Sequence, residues 1–303
     1  MNYFNELVKD SKADFSKLVD EINTQRDLIN QELNQKNEVL EEKLVKLDGY
    51  IHKFEEISLT VQKGTISYLK GVINFNMETQ NYSDAIKHCK ELLRFDEENQ
   101  DVLHNLGWLY HEIEDYTNSE KYFKMLLKYG DEIADAYFHL ALIAHENENI
   151  DQEIRYLLKA IEIDSSQYEY NIDLGFAYFN IEDYELSLSE FEKANALKPN
   201  HPEILFGLGL VYYKRMEYEI SEEYLTKTLL IDDSRIPARY FLACISLHKD
   251  DVEEFYNRFT SALMNGWSEF DTIKSDHNFD KVRGEQKFID LLNYYLLVNG
   301  KDE

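Results

Sequence analysis

The sequence predicts an all-α solenoid of about six helical hairpins, and three observations carry this prediction. One apolar position recurs every 34 residues without an insertion, in a column that runs from Val72 to Leu242. A second column with the same spacing runs from Tyr82 to Val252. Only three prolines and eleven glycines occur among 303 residues, so few positions break helices. A period of this length is typical of stacked units that bury their apolar faces against their neighbours.

Each period contains two helical segments separated by a polar turn. In the second copy, apolar residues from Leu103 to Tyr110 are followed by Glu114-Asp115 and then by apolar positions from Tyr116 to Leu127. Their spacing of three and four residues predicts two helices joined by a turn. A small residue follows each apolar anchor and would let the two helices pack closely. These residues are Gly107, Ala141, Gly175, Gly209 and Ala243.

The hairpins resemble the tetratricopeptide repeat. Leu103-x2-Leu106-Gly107-x2-Tyr110 is similar to the first helix of that family, and Ser187-x3-Phe191 followed by Pro199 is similar to its second helix. The resemblance covers about residues 66–269. It implies a right-handed superhelix whose first helices line a concave surface. The family's tryptophan and alanine are replaced in this sequence, and the first and last copies are the least typical, as terminal units of a solenoid often are.

In chain order, the predicted segments are a coiled-coil arm (1–48), a junction or capping helix (49–65), six repeats (66–269) and a carboxy-terminal cap (270–303). The arm carries apolar residues at coiled-coil spacing on an otherwise polar helix. Its predicted oligomerisation residues are Phe15, Leu18, Ile22, Ile29, Leu33, Leu40 and Leu47. We expect a bend at Asp48-Gly49, after which residues 50–63 return as a capping helix. The cap resembles the tail of many bacterial proteins of this family, which favours a bacterial source.

Three arrangements of the arm remain open, because a narrow apolar stripe requires a partner helix. The arm can self-associate, pack along the repeats of its own chain, or pair with a helix of another protein. Gln25 and Lys36 interrupt the stripe, although polar residues in a coiled-coil seam can also fix its register. We predict a homodimer through this segment.

The first helices of the repeats present a set of mainly aromatic, aliphatic and histidine side chains at equivalent positions. A continuous exposed strip of this kind usually marks a partner site. The alternative is that the arm or the carboxy-terminal helix occupies the strip. The predicted groove residues are His104, Asn105, Trp108, His111, Phe138, Leu142, His145, Ile172, Phe176, Phe179, Phe206, Leu210, Tyr213 and Tyr240.

Four carboxylates form a further column with 34-residue spacing at the start of successive first helices. They are Asp101, Asp135, Glu169 and Glu203. This acidic rim would favour a basic ligand, although acidic residues in a first helical turn also complement the helix dipole without any ligand. Strip and rim together predict a partner segment that is basic or amphipathic.

The net charge of −27 lies mainly on the repeats. Residues 1–63 carry 13 acidic and 9 basic side chains, and the rest of the chain carries 46 and 23. Such a surface repels phosphate backbones and anionic lipid head groups, which argues against nucleic acid or a membrane as a direct partner. The first ten residues include Glu6 and Asp10 and lack an apolar run of signal-peptide length, so we expect a cytoplasmic protein.

The sequence indicates no catalytic motif, and we expect no enzyme activity and no cofactor. Four histidines lie on two neighbouring first helices, close in sequence to Glu112 and Glu146, and are candidate metal ligands: His104, His111, His139 and His145. Equivalent positions of adjacent repeats lie roughly 10 Å apart, so we predict no metal site. The carboxylate clamp of chaperone-binding members is incomplete, because Asp135 and His139 stand where basic residues belong.

These observations favour a non-enzymatic scaffold or adaptor that binds a protein segment in its groove and associates through the arm. Two alternatives remain open. A peptide ligand could change the pitch of the solenoid and so regulate the arm, or the chain could be a structural component of a larger assembly. The fold alone does not decide among these functions.

Overall fold

The computed structural model describes residues 2–130, 133–268, 273 and 276–299, with side chains described for residues 16–130, 133–268, 273 and 276–297. Within that part of the chain it contains thirteen α-helices, one short 3-10 helix and no strand. The predicted all-α fold class is therefore confirmed. None of the described helices is long and apolar enough to cross a membrane.

The chain divides into two units, residues 1–75 and 76–303. The first is formed by most of α1 (Asn2–Glu78). The remaining helices are α2 (Tyr82–Leu92), α3 (Gln100–Glu112), α4 (Tyr116–Tyr129), α5 (Ala134–Glu146), α6 (Ile150–Ile163), α7 (Tyr168–Asn180), α8 (Tyr184–Leu197), α9 (Pro202–Lys214), α10 (Tyr218–Ile231), α11 (Ile236–His248), α12 (Val252–Met264), the 3-10 helix (His277–Phe279) and α13 (Gln286–Asn299).

The helices from α3 to α12 form five consecutive hairpins that follow the 34-residue period. In each hairpin turn one residue adopts a left-handed conformation, with φ between 56° and 63°. These residues are Glu114, Glu148, Glu182, Met216 and Asp250. An Asp or Asn side chain caps the second helix in four of these hairpins, accepting a hydrogen bond from the backbone N–H three residues later.

Small residues and buried hydroxyls hold the two helices of a hairpin together. A Cβ atom added at Gly107 would lie 2.7 Å from Cζ of Phe123, so the predicted role of this glycine in close packing is confirmed. Ser119 Oγ donates a buried hydrogen bond of 2.7 Å to the carbonyl of Gly107. Ser187 and Ser221 make the same bond to the glycines twelve residues before them.

The first unit corrects one prediction about the arm. Helix α1 continues through Asp48-Gly49 without a bend, and residues 50–63 extend it, where a returning capping helix was expected. One glycine inside a helix costs only about 1 kcal/mol, and the neighbouring residues are mostly good helix formers. Every side chain from Ser16 to Gly64 is exposed within this single chain.

The carboxy-terminal segment packs on the last hairpin. Phe279 and Phe288 are buried against Phe255 and Phe259 of α12, with ring centroids 5.3 to 6.2 Å apart. Trp267, Ile273 and Val282 belong to the same apolar cluster. The apolar end of the last hairpin is thereby covered by the chain itself.

Candidate functional site

The predicted groove residues are partly open on α3, α5 and α7. We call the set His104, Asn105, Trp108, His111, Phe138, Leu142, His145, Phe176 and Phe179 the open groove. His145 is exposed and the others are half-buried. Several of their rings contact rings of the second helices, as in the edge-to-face pair of Trp108 and Tyr82, whose centroids lie 5.8 Å apart. This surface offers aromatic and imidazole groups to a partner.

The predicted strip does not continue across α9 and α11, which is a correction. Phe206, Leu210, Tyr213 and Tyr240 are at most 7% exposed and belong to the apolar cluster that also contains the carboxy-terminal segment. The hydroxyl of Tyr213 donates to Oδ1 of Asn278 at 2.7 Å, and that of Tyr240 donates to Asp276. Ile172, also a predicted groove residue, is buried in the core with Phe191.

A cavity of about 420 Å³ lies within the open groove, between α5, α6 and α7. Its lining residues are Ala141, Leu142, His145, Glu153, Leu157, Asp173, Phe176 and Asn180. Three of these were predicted from the sequence as groove residues. The sequence prediction missed Glu153 and Asp173. One signal for Glu153 was present in the sequence, because this residue interrupts the column formed by Ser119, Ser187 and Ser221.

Two departures from the repeat pattern line this cavity. Glu153 replaces the serine that bonds a glycine carbonyl in three other hairpins, and Leu157 stands where the adjacent repeats have Phe123 and Phe191. The smaller side chain of Leu157 fills less of the space between the helices. The Glu153 side chain is only 8% exposed and pairs with Nδ1 of His145 at 3.2 Å.

Asp173 makes the cavity acidic. Burial, together with the negative charges of Glu203 and Glu153, raises the pKa of Asp173 to about 7. Burial also raises the pKa of Glu153, while His145 opposes that shift. No hydrogen-bond partner for the Asp173 carboxylate is found in the described part of the chain, so a positive charge entering the cavity would find an unpaired acceptor.

The acidic rim is partly neutralised by neighbouring helices. Asp135 bonds His104, and Glu203 forms an ion pair with Arg235 at 3.2 Å. The His104 hydrogen bond lowers the pKa of Asp135. Glu169 has a buried Oε2 atom without a hydrogen-bond partner among the described residues, and Asp101 is exposed. The rim is therefore not a uniform row of free carboxylates.

The histidines do not form the four-residue group considered from the sequence. Instead, His104 of α3 meets Asp135 and His139 of α5, and their nitrogen and oxygen atoms lie within 4.8 Å of one another. His145 lies in the cavity, paired with Glu153. Sequence reasoning missed this convergence because it compared positions 34 residues apart, whereas His104 and Asp135 are separated by 31.

Comparisons with known proteins agree with the repeat fold. Residues 104–168 and 168–201 match family models of the tetratricopeptide repeat. No curated protein matches the sequence. Similar solved structures include the MamA protein, at 20% identity and TM-score 0.51, over 56% of this chain and 93% of that chain. PilF of Pseudomonas aeruginosa is similar at 14% identity and TM-score 0.58, over 74% and 99% of the two chains. PilW, a type IV pilus biogenesis factor, is similar at 13% identity and TM-score 0.57, over 72% and 97%. At these identities the likeness establishes the fold alone.

Proposed function

Because this chain carries tetratricopeptide repeats, we propose that it is a non-enzymatic scaffold that binds a basic or amphipathic protein segment in the open groove. The repeat fold is in general a protein-interaction fold. The acidic cavity between α5, α6 and α7 is the observation that supports binding of a basic or amphipathic segment in particular.

The walls of the cavity suit a lysine or arginine side chain. Leu142, Leu157 and Phe176 provide apolar surface for the aliphatic stem, and Asp173 and Glu153 provide negative charge for the head group. Holding Asp173 ionised in a buried site is unfavourable without a counter-charge. A bound cation would remove that penalty, so binding and ionisation of Asp173 favour each other.

The predicted strip is buried on α9 and α11, which limits where the partner segment can bind. Residues 276–279 and Trp267 cover Tyr213 and Tyr240, so the partner segment is confined to the part from α3 to α7. Apolar contacts to Trp108, Phe138 and Phe179 would then accompany the cation in the cavity. An amphipathic segment meets both requirements.

The arm supports a second element of the proposal, which is self-association. Leu18, Ile22, Ile29, Leu33, Leu40 and Leu47 are 53% to 61% exposed in the single chain. The side chain of Phe15, the remaining predicted residue, lies outside the described part of the structure. Burying this stripe in a coiled-coil dimer would present two grooves to a repeated partner and increase avidity.

Peptide binding tests the groove proposal directly. The probe is a fluorescent helical peptide of leucine, alanine and lysine, and its control has glutamate at every lysine position. We expect the lysine peptide to bind the full chain, and the glutamate peptide to bind at least tenfold more weakly, because the groove is acidic.

A cavity variant gives the matched control. Glu153→Ser/Leu157→Phe restores the residue types of the adjacent repeats and fills the cavity, and Asp173→Asn removes one charge with little change of shape. Both should weaken lysine-peptide binding about tenfold, which corresponds to about 1.4 kcal/mol. Glu185→Ser on the exposed face of α8 should leave it unchanged. Equal affinity of all these proteins, with helicity retained in circular dichroism, would contradict the proposal.

A further inference from the structure

Three side chains with metal-binding atoms converge on α3 and α5. His104 Nε2 bonds Oδ2 of Asp135, and Nε2 of His139 lies 3.6 Å from the same oxygen. The three donor atoms lie within 4.8 Å of one another. Two imidazole nitrogens and one carboxylate oxygen are a ligand set that Zn²⁺ accepts.

His139 has the fewest hydrogen-bond partners of the three residues in this cluster. Its side chain is 15% exposed and its ring stacks on Phe123, with centroids 4.8 Å apart. Nδ1 is buried without a hydrogen-bond partner among the described residues, and Nε2 is beyond hydrogen-bond distance of Asp135. Nε2 is therefore the nitrogen of His139 that can bind an ion, while Nδ1 keeps the proton of the neutral ring.

The cluster is also accessible. The side chains of His104 and Asp135 are 37% and 48% exposed, and both His104 and the neighbouring His111 belong to the open groove. An ion can therefore enter from solvent, and a fourth coordination position remains for water or for a donor atom of a bound segment.

We propose that His104, Asp135 and His139 bind one Zn²⁺ ion that links the first helices of two successive repeats. Each histidine coordinates through Nε2, so His104 takes the neutral tautomer with its proton on Nδ1 and its hydrogen bond to Asp135 is replaced by coordination. Because α3 and α5 belong to different hairpins, the ion fixes their separation. The site shares His104 with the open groove, but the inference does not depend on peptide binding there.

The test uses the full chain without a histidine tag, after removal of metal by a chelator. Calorimetric titration with ZnCl₂ should show one site per chain, and Co²⁺ should give the visible absorption of a tetrahedral ion. Zn²⁺ should also raise the Tm, because it binds the folded state in preference to the unfolded one.

Two variants separate coordination from packing. His139→Phe keeps an aromatic ring beside Phe123, and phenylalanine occupies the equivalent position three repeats later, at Phe241.

Asp135→Asn keeps the shape of the side chain and removes its charge. Each variant should bind Zn²⁺ at least about tenfold more weakly than the unchanged protein, as loss of a metal ligand or its support usually does. His52→Ala on α1, which removes an exposed histidine elsewhere, is the matched control and should leave the affinity unchanged.

Three results would overturn the proposal. They are the absence of Zn²⁺ binding by the unchanged chain, an affinity of His139→Phe and Asp135→Asn equal to that of the unchanged chain, and the same loss of affinity in the His52→Ala control. Circular dichroism of each metal-free variant establishes that it is folded, so a loss of binding is not a loss of structure.

Discussion

At the scale of single residues, the repeats differ where function is proposed. Phe191 lies between two glycines of neighbouring first helices: a Cβ at Gly175 would lie 3.0 Å from its ring, and a Cβ at Gly207 would overlap it. In the adjacent hairpin, Leu157 and Glu153 line a cavity instead. One position of the repeat therefore provides close packing in one hairpin and a candidate binding site in the next.

The packing around Phe191 predicts a large effect of a small substitution. Gly207→Ala should lower the free energy of unfolding by about 1 to 3 kcal/mol, because the fully buried ring must shift. Gly71→Ala, where nothing lies within 4 Å, should be neutral or slightly stabilising. Urea denaturation measures both, and equal effects would contradict the packing argument.

Asp173 predicts a dependence of stability on pH. Its pKa is raised to about 7, by burial first and then by Glu203 and Glu153, while His145 opposes the shift and Glu169 adds to it. Between about pH 4 and 7 the folded state keeps a proton that the unfolded chain has released, so stability contributed by this group falls as the pH rises.

Asp173→Asn should therefore raise the Tm at pH 8 and change it little at pH 4.5. The exposed Asp151→Asn is the control, and its effect should not follow this pattern. Thermal unfolding followed by circular dichroism at both pH values checks the prediction, which fails if the two variants behave alike.

At the scale of the helices, the hairpin turns share one backbone conformation. Each turn from α3 to α12 places a non-glycine residue at positive φ, which an L-amino acid adopts at a cost of about 1 to 2 kcal/mol. The second helix then begins two residues later, at the apolar column first seen in the sequence. The turn therefore sets the start of the second helix in every repeat.

Two glycine substitutions should consequently have opposite signs. Glu182→Gly, at φ 63°, should stabilise the protein by about 0.5 to 1 kcal/mol, because glycine adopts this conformation readily. Glu192→Gly, on the exposed face of α8, should destabilise it by about 1 kcal/mol. Urea midpoints of the two variants give the comparison, and a loss of stability in both would contradict it.

At the scale of the whole molecule, the chain consists of a unit formed by most of α1 and a repeat unit. The stripe on α1 has no partner that the structure describes, so its predicted role in dimerisation remains a proposal. The seam residues Leu33, Leu40 and Leu47 are seven residues apart and lie on one face of the helix.

Light scattering tests the dimer at micromolar concentration. The unchanged chain should have twice the mass of one chain, and Leu33→Glu/Leu40→Glu should be monomeric because two charges enter the seam. Gln35→Glu/Val45→Glu adds the same charge away from the stripe and should remain dimeric. A monomeric mass for the unchanged chain would refute the prediction.

Much of the fold follows from local patterns in the sequence. The 34-residue columns predicted the hairpins, because helical periodicity depends on residues three and four apart. The bend at Asp48-Gly49 was wrong, because the local signal of one glycine is weaker than the helix propensity around it. For the candidate site, the sequence identified Leu142, His145 and Phe176 but not their partners Glu153 and Asp173.

The sequence by itself determined the fold class, the period and the helical hairpins, since each of these rests on contacts within one repeat. Only the tertiary structure decided which part of the groove is open, because Asn278 reaches Tyr213 across 65 residues of sequence. It also decided that His104 meets Asp135 and His139. Those contacts depend on how one hairpin is displaced against the next, and no periodicity in the sequence specifies that displacement.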